Sequence, residues 1–346
     1  MSRKWKSVLR LVAAAYIAAL APVSLAQTAP AAILQIDIDN YAAYVNDTTD
    51  FSKLSSDANA TTSTIGGKTF STLIGMADIV AVNGKPAKGT WTVKGTWINQ
   101  TPDAGPGQAI ADTTRRFMIE SAWEIQQADG RPIGTIIGAG LAFGPPQPGA
   151  PQALLPTAAG ATAITGGTGA FLGARGQAGF SAISAVNGGR VASTSEDPAN
   201  RRARGPGART WLLHLIPMFV PEVVSDQPGP VVFHSSDFSR VTSASPARAG
   251  EALTLAVSGL GPTRPGVDPG EPFPPSPEKP LQEVNSPVEA SVNGKAAEVI
   301  NKIGWPNTTN TYRVDIRVPE GTPPGVAGLR ITAAYVPGTE VKVPVK

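Results

Sequence analysis

ATAITGGTGAFLGARGQAGF, residues 161–180, decides how the chain is read. Six glycines fall within these residues, set among apolar side chains with a single arginine, Arg175. Such a turn after a short apolar strand suits two architectures. The first is the phosphate-binding turn of a dinucleotide fold, which needs a helix behind the glycines and an acidic residue about 20 positions on. Gly173, Gly176 and Gly179 recur too closely for a helix interior. Residues 177–186 alternate like a strand instead, and Asn187-Gly188 offers the next hairpin turn. A nucleotide is therefore rejected, and no cofactor is expected. The second architecture is a sharp turn between two barrel strands. There Gly166, Gly167 and Gly169 supply backbone conformations closed to other residues, Phe171 plugs the barrel, and Arg175 bonds backbone carbonyls.

Working outward, residues 33–38, 72–82 and 90–98 read as strands, with Asn83-Gly84 turning between the last two. A polar stretch, 46–64, reads as an irregular arm, and 101–107 and 144–156 as Pro/Gly-rich loops. Residues 115–126 alternate strictly. Phe117, Ile119, Ser121, Trp123 and Ile125 share one face; Met118, Glu120, Ala122, Glu124 and Gln126 share the other. Asp129-Gly130 makes a further turn, 132–143 a glycine-rich strand, and 210–216 a closing apolar strand. Strand-only and glycine-rich, residues 27–216 predict a closed antiparallel barrel.

The run Ile164-Thr165-Gly166-Gly167-Thr168-Gly169-Ala170-Phe171 with Ala174-Arg175-Gly176 resembles the shared signature of the allene oxide cyclase and dirigent barrel families. The resemblance is specific over about fifteen residues and diffuse beyond them. It implies eight strands around an apolar cavity, isomerase- or cyclase-like chemistry with acidic residues inside the cavity, and a homotrimer.

Residues 217–239 read as a proline-stiffened connector. From 240 to 346 a second pattern begins, with strands separated by Pro/Gly turns every 8–12 residues, as in a β-sandwich. Ser245-Pro246-Ala247-Arg248-Ala249-Gly250-Glu251, Ser258-Gly259-Leu260-Gly261-Pro262 and Pro287-Val288-Glu289-Ala290-Ser291-Val292-Asn293-Gly294 carry a second resemblance. They are similar to an uncharacterised C-terminal domain family of secreted acidobacterial proteins, which is immunoglobulin-like in the manner of IPT/TIG modules. The fold class expected is thus all-β, a barrel of eight antiparallel strands followed by an immunoglobulin-like sandwich.

At the N-terminus, Arg3, Lys4, Lys6 and Arg10 precede an apolar run ending in Ser24-Leu25-Ala26. This is the pattern of a secretory signal peptide over residues 1–26, with Gln27 as the mature start and a secreted, periplasmic or surface location. The apolar run is too short to span a bilayer. Without residues 1–26 the chain holds 25 basic against 26 acidic residues, so the charge balance gives no case for nucleic acid or an anionic membrane as partner. Cysteine is absent, which excludes disulfides and thiol chemistry.

Candidates for chemistry are few. No metal-ligand spacing, serine elbow or phosphate loop occurs. Of two histidines, His214 reads as a packed strand residue and His234 lies in the connector. Arg201, Arg202, Arg204 and Arg209 read as a solvated loop. Glu120 and Glu124 remain as weak catalytic candidates. Their polar face suits solvent, but turned inward either would be a raised-pKa proton shuttle. Two functions stand: a barrel that binds a small apolar molecule, with isomerase- or cyclase-like activity at most, or a non-catalytic surface protein working by interaction. A cavity with a buried carboxylate favours the first, a barrel filled by large side chains the second.

Overall fold

The computed structural model describes residues 32–47, 69–99, 116–143, 162–180, 190–192, 196–203, 207–277 and 279–346. The readings for 1–26, most of the arm at 46–64, the loops 101–107 and 144–156, Asn187-Gly188 and Arg204 lie outside them.

Among these residues nine strands make the first sheet: β1 (Ala32–Asp47), β2 (Thr69–Val82), β3 (Lys85–Asn99), β4 (Arg116–Gln127), β5 (Pro132–Phe143), β6 (Thr162–Gly167), β7 (Arg175–Phe180), β8 (Arg190–Ala192) and β9 (Arg209–Ile216). β1 to β7 and then β9 follow one another around the sheet, and β9 pairs with β1, which closes an eight-stranded antiparallel barrel. Short β8 lies parallel to β1 at Ala42–Tyr44, beyond the part of β1 that β9 covers. Tight turns close one end. Asn83 and Gly84 both have positive φ (51° and 72°), the hairpin geometry that Asn-Gly favours. β1, β3, β5 and β7 run towards the opposite end, from which the connections 48–68, 100–115, 144–161 and 181–189 leave.

The signature turn lies at the tight end. Residues Gly169–Phe171 form one 3₁₀ turn, and Phe171 is buried in the barrel core. Gly169 has φ +61°, and a Cβ on it would come within 2.6 Å of the Ile133 carbonyl oxygen. Gly167 is required by close approach, since its Cβ would lie 2.2 Å from the Phe171 carbonyl oxygen. Gly166 departs from expectation: its backbone is not left-handed, and its Cβ would meet only Arg175 Nη1 at 3.9 Å. Arg175 is exposed and donates from Nη1 to the carbonyl of the preceding residue, Ala174, at 2.9 Å.

The second domain is a two-layered sandwich. Ala252–Ser258 and Tyr312–Arg317 form the centre of one layer, Val288–Val292 and Gly325–Ala333 that of the other. Lys295–Gly304 bends from one layer into the other, pairing first with Val288–Val292 and then with Tyr312–Arg317. Leu253, Leu255, Val314 and Ile316 meet Ala290, Leu329, Ile331 and Val343 in the core between them. In place of a free connector, Glu222–Val223 and Val232–His234 are strands paired with Ala252–Ser258. The prolines at 228 and 230 sit in the small hairpin between those two strands, so they shape a turn inside the sheet.

The two domains share apolar packing, and residues 32–346 form one compact unit. Ala334, Tyr335 and Val336, at the tip of a sandwich hairpin, belong to the barrel's own core. Ala334 and Tyr335 both have positive φ (48° and 66°), which costs an L-residue about 1–2 kcal/mol each. Burial of the tyrosine side chain offsets this. A Cβ on Gly261 would come 3.1 Å from Ala170 Cα, so the two stretches that mark the domains in the sequence touch each other. Around this apolar contact, Lys85 pairs with Glu289, Arg131 with Glu283 at 3.0 Å, and Gln127 donates to the Asn285 carbonyl.

Candidate functional site

The alternation of β4 is realised with its apolar face inward. Ile119, Ser121, Trp123 and Ile125 are buried, while Met118, Glu120 and Glu124 are exposed on the outer wall. Burying two carboxylates without cationic partners would cost far more than facing three aliphatic or aromatic residues inward gains. Glu120 and Glu124 are therefore not cavity residues, and neither is placed to move a proton within the barrel. Among the described barrel residues no carboxylate is buried. His214 is corrected too: Leu213 and Leu215 point inward, and the histidine between them is exposed.

Rings fill the middle of the barrel. Trp211 lies 5.2 Å from Trp91 and 5.1 Å from Trp123 between ring centroids, the second pair edge to face, a favourable arrangement of ring quadrupoles. Glycine in the wall makes room for them. A Cβ on inward-facing Gly138 would lie 3.3 Å from Trp123 Cζ3 and 2.8 Å from Thr162 Cγ2. Below this level Ile133, Phe171 and Leu215 continue the core down to Tyr335.

On the other side of the rings, towards the long connections, the interior is more polar. Ser121 Oγ and Trp123 Nε1, both on the inner face of β4, are buried and have no hydrogen-bond partner among the described residues. Tyr41 packs on Trp91 with 5.3 Å between centroids, and a Cβ on Gly75 would lie 3.0 Å from Tyr41 Cε2. Arg209, on the same side of β9 as Trp211 and Leu213, holds its guanidinium carbon 5.6 Å from the centre of the Tyr41 ring. Burial pushes the Tyr41 phenol above its ordinary value, and the Arg209 cation opposes part of that. Tyr41, Ser121 and Trp123 thus bring a phenol, a serine hydroxyl and an indole N–H to the barrel's ring-packed interior.

Tyr41 was not singled out from the sequence, and Arg209, read there as part of a solvated loop, instead lies over the Tyr41 ring. The available signal was Asn40, an Asx residue next to an otherwise regular strand pattern, where a bulge can reverse which side chains face in. The arginine cluster also differs from the solvated loop expected. Arg201 is buried against Asp78, Arg202 reaches the same carboxylate at 2.7 and 2.8 Å, and only Arg202 of the two is exposed.

In the second domain His234 is buried in a hydrogen-bonded chain. Nδ1 is 2.6 Å from Glu251 Oε1, and Nε2 is 3.2 Å from both the hydroxyl and the carbonyl oxygen of Ser245. The carbonyl competes with the hydroxyl for Nε2, so the ring is not set to activate the serine. It ties the 242–245 turn to the strand at 252. Among the described residues no three metal-ligating side chains converge, and no helix is long and apolar enough to cross a membrane.

Comparison of the chain with protein-family models, with curated proteins and with solved structures found no match.

Proposed function

We propose that this is an exported two-domain β-protein whose barrel binds a small, largely apolar molecule at the long-connection end and does no acid–base chemistry on it. The observation that carries this reading is the pair of buried donors on β4 with no partner among the described residues, Ser121 Oγ and Trp123 Nε1, in the ring-packed interior. An indole N–H buried without a partner costs about 1–3 kcal/mol, which an acceptor oxygen on a ligand would recover. The ligand class is therefore an apolar body bearing a carbonyl, ether or hydroxyl oxygen. The signature turn lends support through its resemblance to cyclase and dirigent barrels, and the n-region and Ser-Leu-Ala pattern support export. The exposed positions of Glu120 and Glu124 argue against catalysis by either.

The second reading is a protein that works by surface interaction alone. It is favoured by the ring stack and the Tyr335 hairpin, which together fill the barrel from its middle to its tight end. Titration with anilinonaphthalene sulfonate, followed by tryptophan quenching, separates the two. Saturable binding that is weakened in Ser121→Val and Trp123→Phe supports the binding barrel. Absence of saturable binding, or affinity indifferent to both changes, leaves the interaction reading.

A further inference from the structure

We propose that Asp78 is a positioning residue: held by Arg201 and Arg202, it grips the Asn40 amide and so fixes the bulge that turns Tyr41 into the barrel. The proposal rests on the barrel being a binding site, but its geometry stands on its own.

In β1, Ile36 and Ile38 face the core, so a regular strand would send Asn40 inward and Tyr41 outward. The register breaks here: Asp39 pairs with Asp78 and Ala42 with Met76, so Asn40 and Tyr41 oppose the single residue Ala77. One extra residue reverses every later side chain. Tyr41 and Ala43 accordingly join the barrel core, while Ala42 and Tyr44 pack outside against Ala192.

Asn40 adopts φ +56°, a conformation that asparagine tolerates better than most residues. Its backbone N–H donates to Asp39 Oδ1 at 2.7 Å, and its Nδ2 donates to Asp78 Oδ2 at 3.0 Å. Asp78 is held in turn from the far side by Arg202 Nε and Nη2 and by Arg201, which is buried within the short helical segment Pro198–Ala203. Arg201 Nε has no partner among the described residues. A buried arginine with an unmet N–H is poor value as a source of stability, since desolvation consumes most of the Coulombic gain. Holding one carboxylate in one place is what this arrangement achieves. Among the described residues, Tyr41 itself is faced by Arg209, Trp91, Gly75 and the backbone of Gly207, whose carbonyl accepts from the Tyr41 N–H at 3.3 Å.

The test uses Asp78→Asn and Asn40→Gly in the full chain. Asn40→Gly keeps the left-handed backbone and the Asp78–arginine pairs, and removes only the amide link. The Tyr41 phenol is followed by ultraviolet difference absorbance across an alkaline titration, with Tyr41→Phe subtracted to isolate it. If the clamp positions Tyr41, its ionisation moves down towards an ordinary tyrosine in both variants, while far-ultraviolet dichroism is unchanged. Binding of anilinonaphthalene sulfonate should weaken about 3- to 10-fold in both. A Tyr41 transition that stays where it is in folded Asn40→Gly overturns the proposal, whatever Asp78→Asn does. A transition that moves in a protein showing no saturable probe binding upholds the clamp and refutes the binding barrel instead.

Discussion

Replacing Gly169 and Gly166 by alanine, one at a time, should have opposite effects although both belong to one signature. Gly169 has φ +61°, so an alanine there pays about 1–2 kcal/mol for a left-handed backbone. Its Cβ would also lie 2.6 Å from the Ile133 carbonyl oxygen and 2.9 Å from Gly134 Cα. Both neighbours are backbone atoms of β5, so neither can rotate aside, and overpacking of this kind adds about 1–3 kcal/mol. The expected loss is about 2–5 kcal/mol. At Gly166 the backbone is ordinary and the nearest atom is 3.9 Å away, at the end of the flexible Arg175 side chain. Alanine there restricts the unfolded chain and should stabilise by about 0.4–1 kcal/mol. Urea unfolding gives both values from the shift in midpoint at constant slope. Gly169→Ala within about 0.5 kcal/mol of the parent, or a Gly166→Ala loss as large as that of Gly169→Ala, would refute this account of the turn.

Glu120→Gln and Glu124→Gln should each change stability by less than about 0.5 kcal/mol and leave affinity for anilinonaphthalene sulfonate untouched, because both side chains face solvent; loss of binding in either would put that carboxylate back in the site. Burial alone would raise the Asp78 carboxyl, but hydrogen bonds from Arg202, Asn40 and Arg201 outweigh it and pull it from 3.8 to about 2. What it contributes is therefore present above pH 3.8 and fades as pH falls towards 2, so the stability gap between parent and Asp78→Asn should narrow over that window. A gap independent of pH would contradict the pairing. Tyr335→Ala should cost about 2–4 kcal/mol by emptying the tight end of the barrel, although the residue belongs to the sandwich; calorimetry should show the barrel transition falling. An effect confined to the sandwich would mean that the shared core contributes nothing to the barrel.

Much of the fold was legible because it is written in local patterns. The two-residue alternation of β4 separates Trp123 from Glu124 in any sheet with one dry face, and Asn83-Gly84 and Asn293-Gly294 suit only turns with positive φ. The strands on either side of the 166–169 glycines followed from the same logic. Which face of β4 is dry, and whether a given glycine is indispensable, depend on what lies opposite. Gly166 and Gly169 are the same letter in the sequence, and only the approach of Ile133 to one of them distinguishes the two. The site was less legible for a similar reason. Tyr41 enters the barrel because a single-residue bulge reverses the strand pattern, and the bulge is held by Asp78, Arg201 and Arg202, which lie far from it in the chain. The contact between Ala170 and Gly261, and the entry of Tyr335 into the barrel core, likewise join segments with no local relation. Local sequence determines periodicity and turn geometry, since these depend on neighbouring residues. Tertiary packing decides burial, pairing and the direction of the side chains at the bulge, since these depend on atoms brought close only when the barrel closes on itself and on the sandwich.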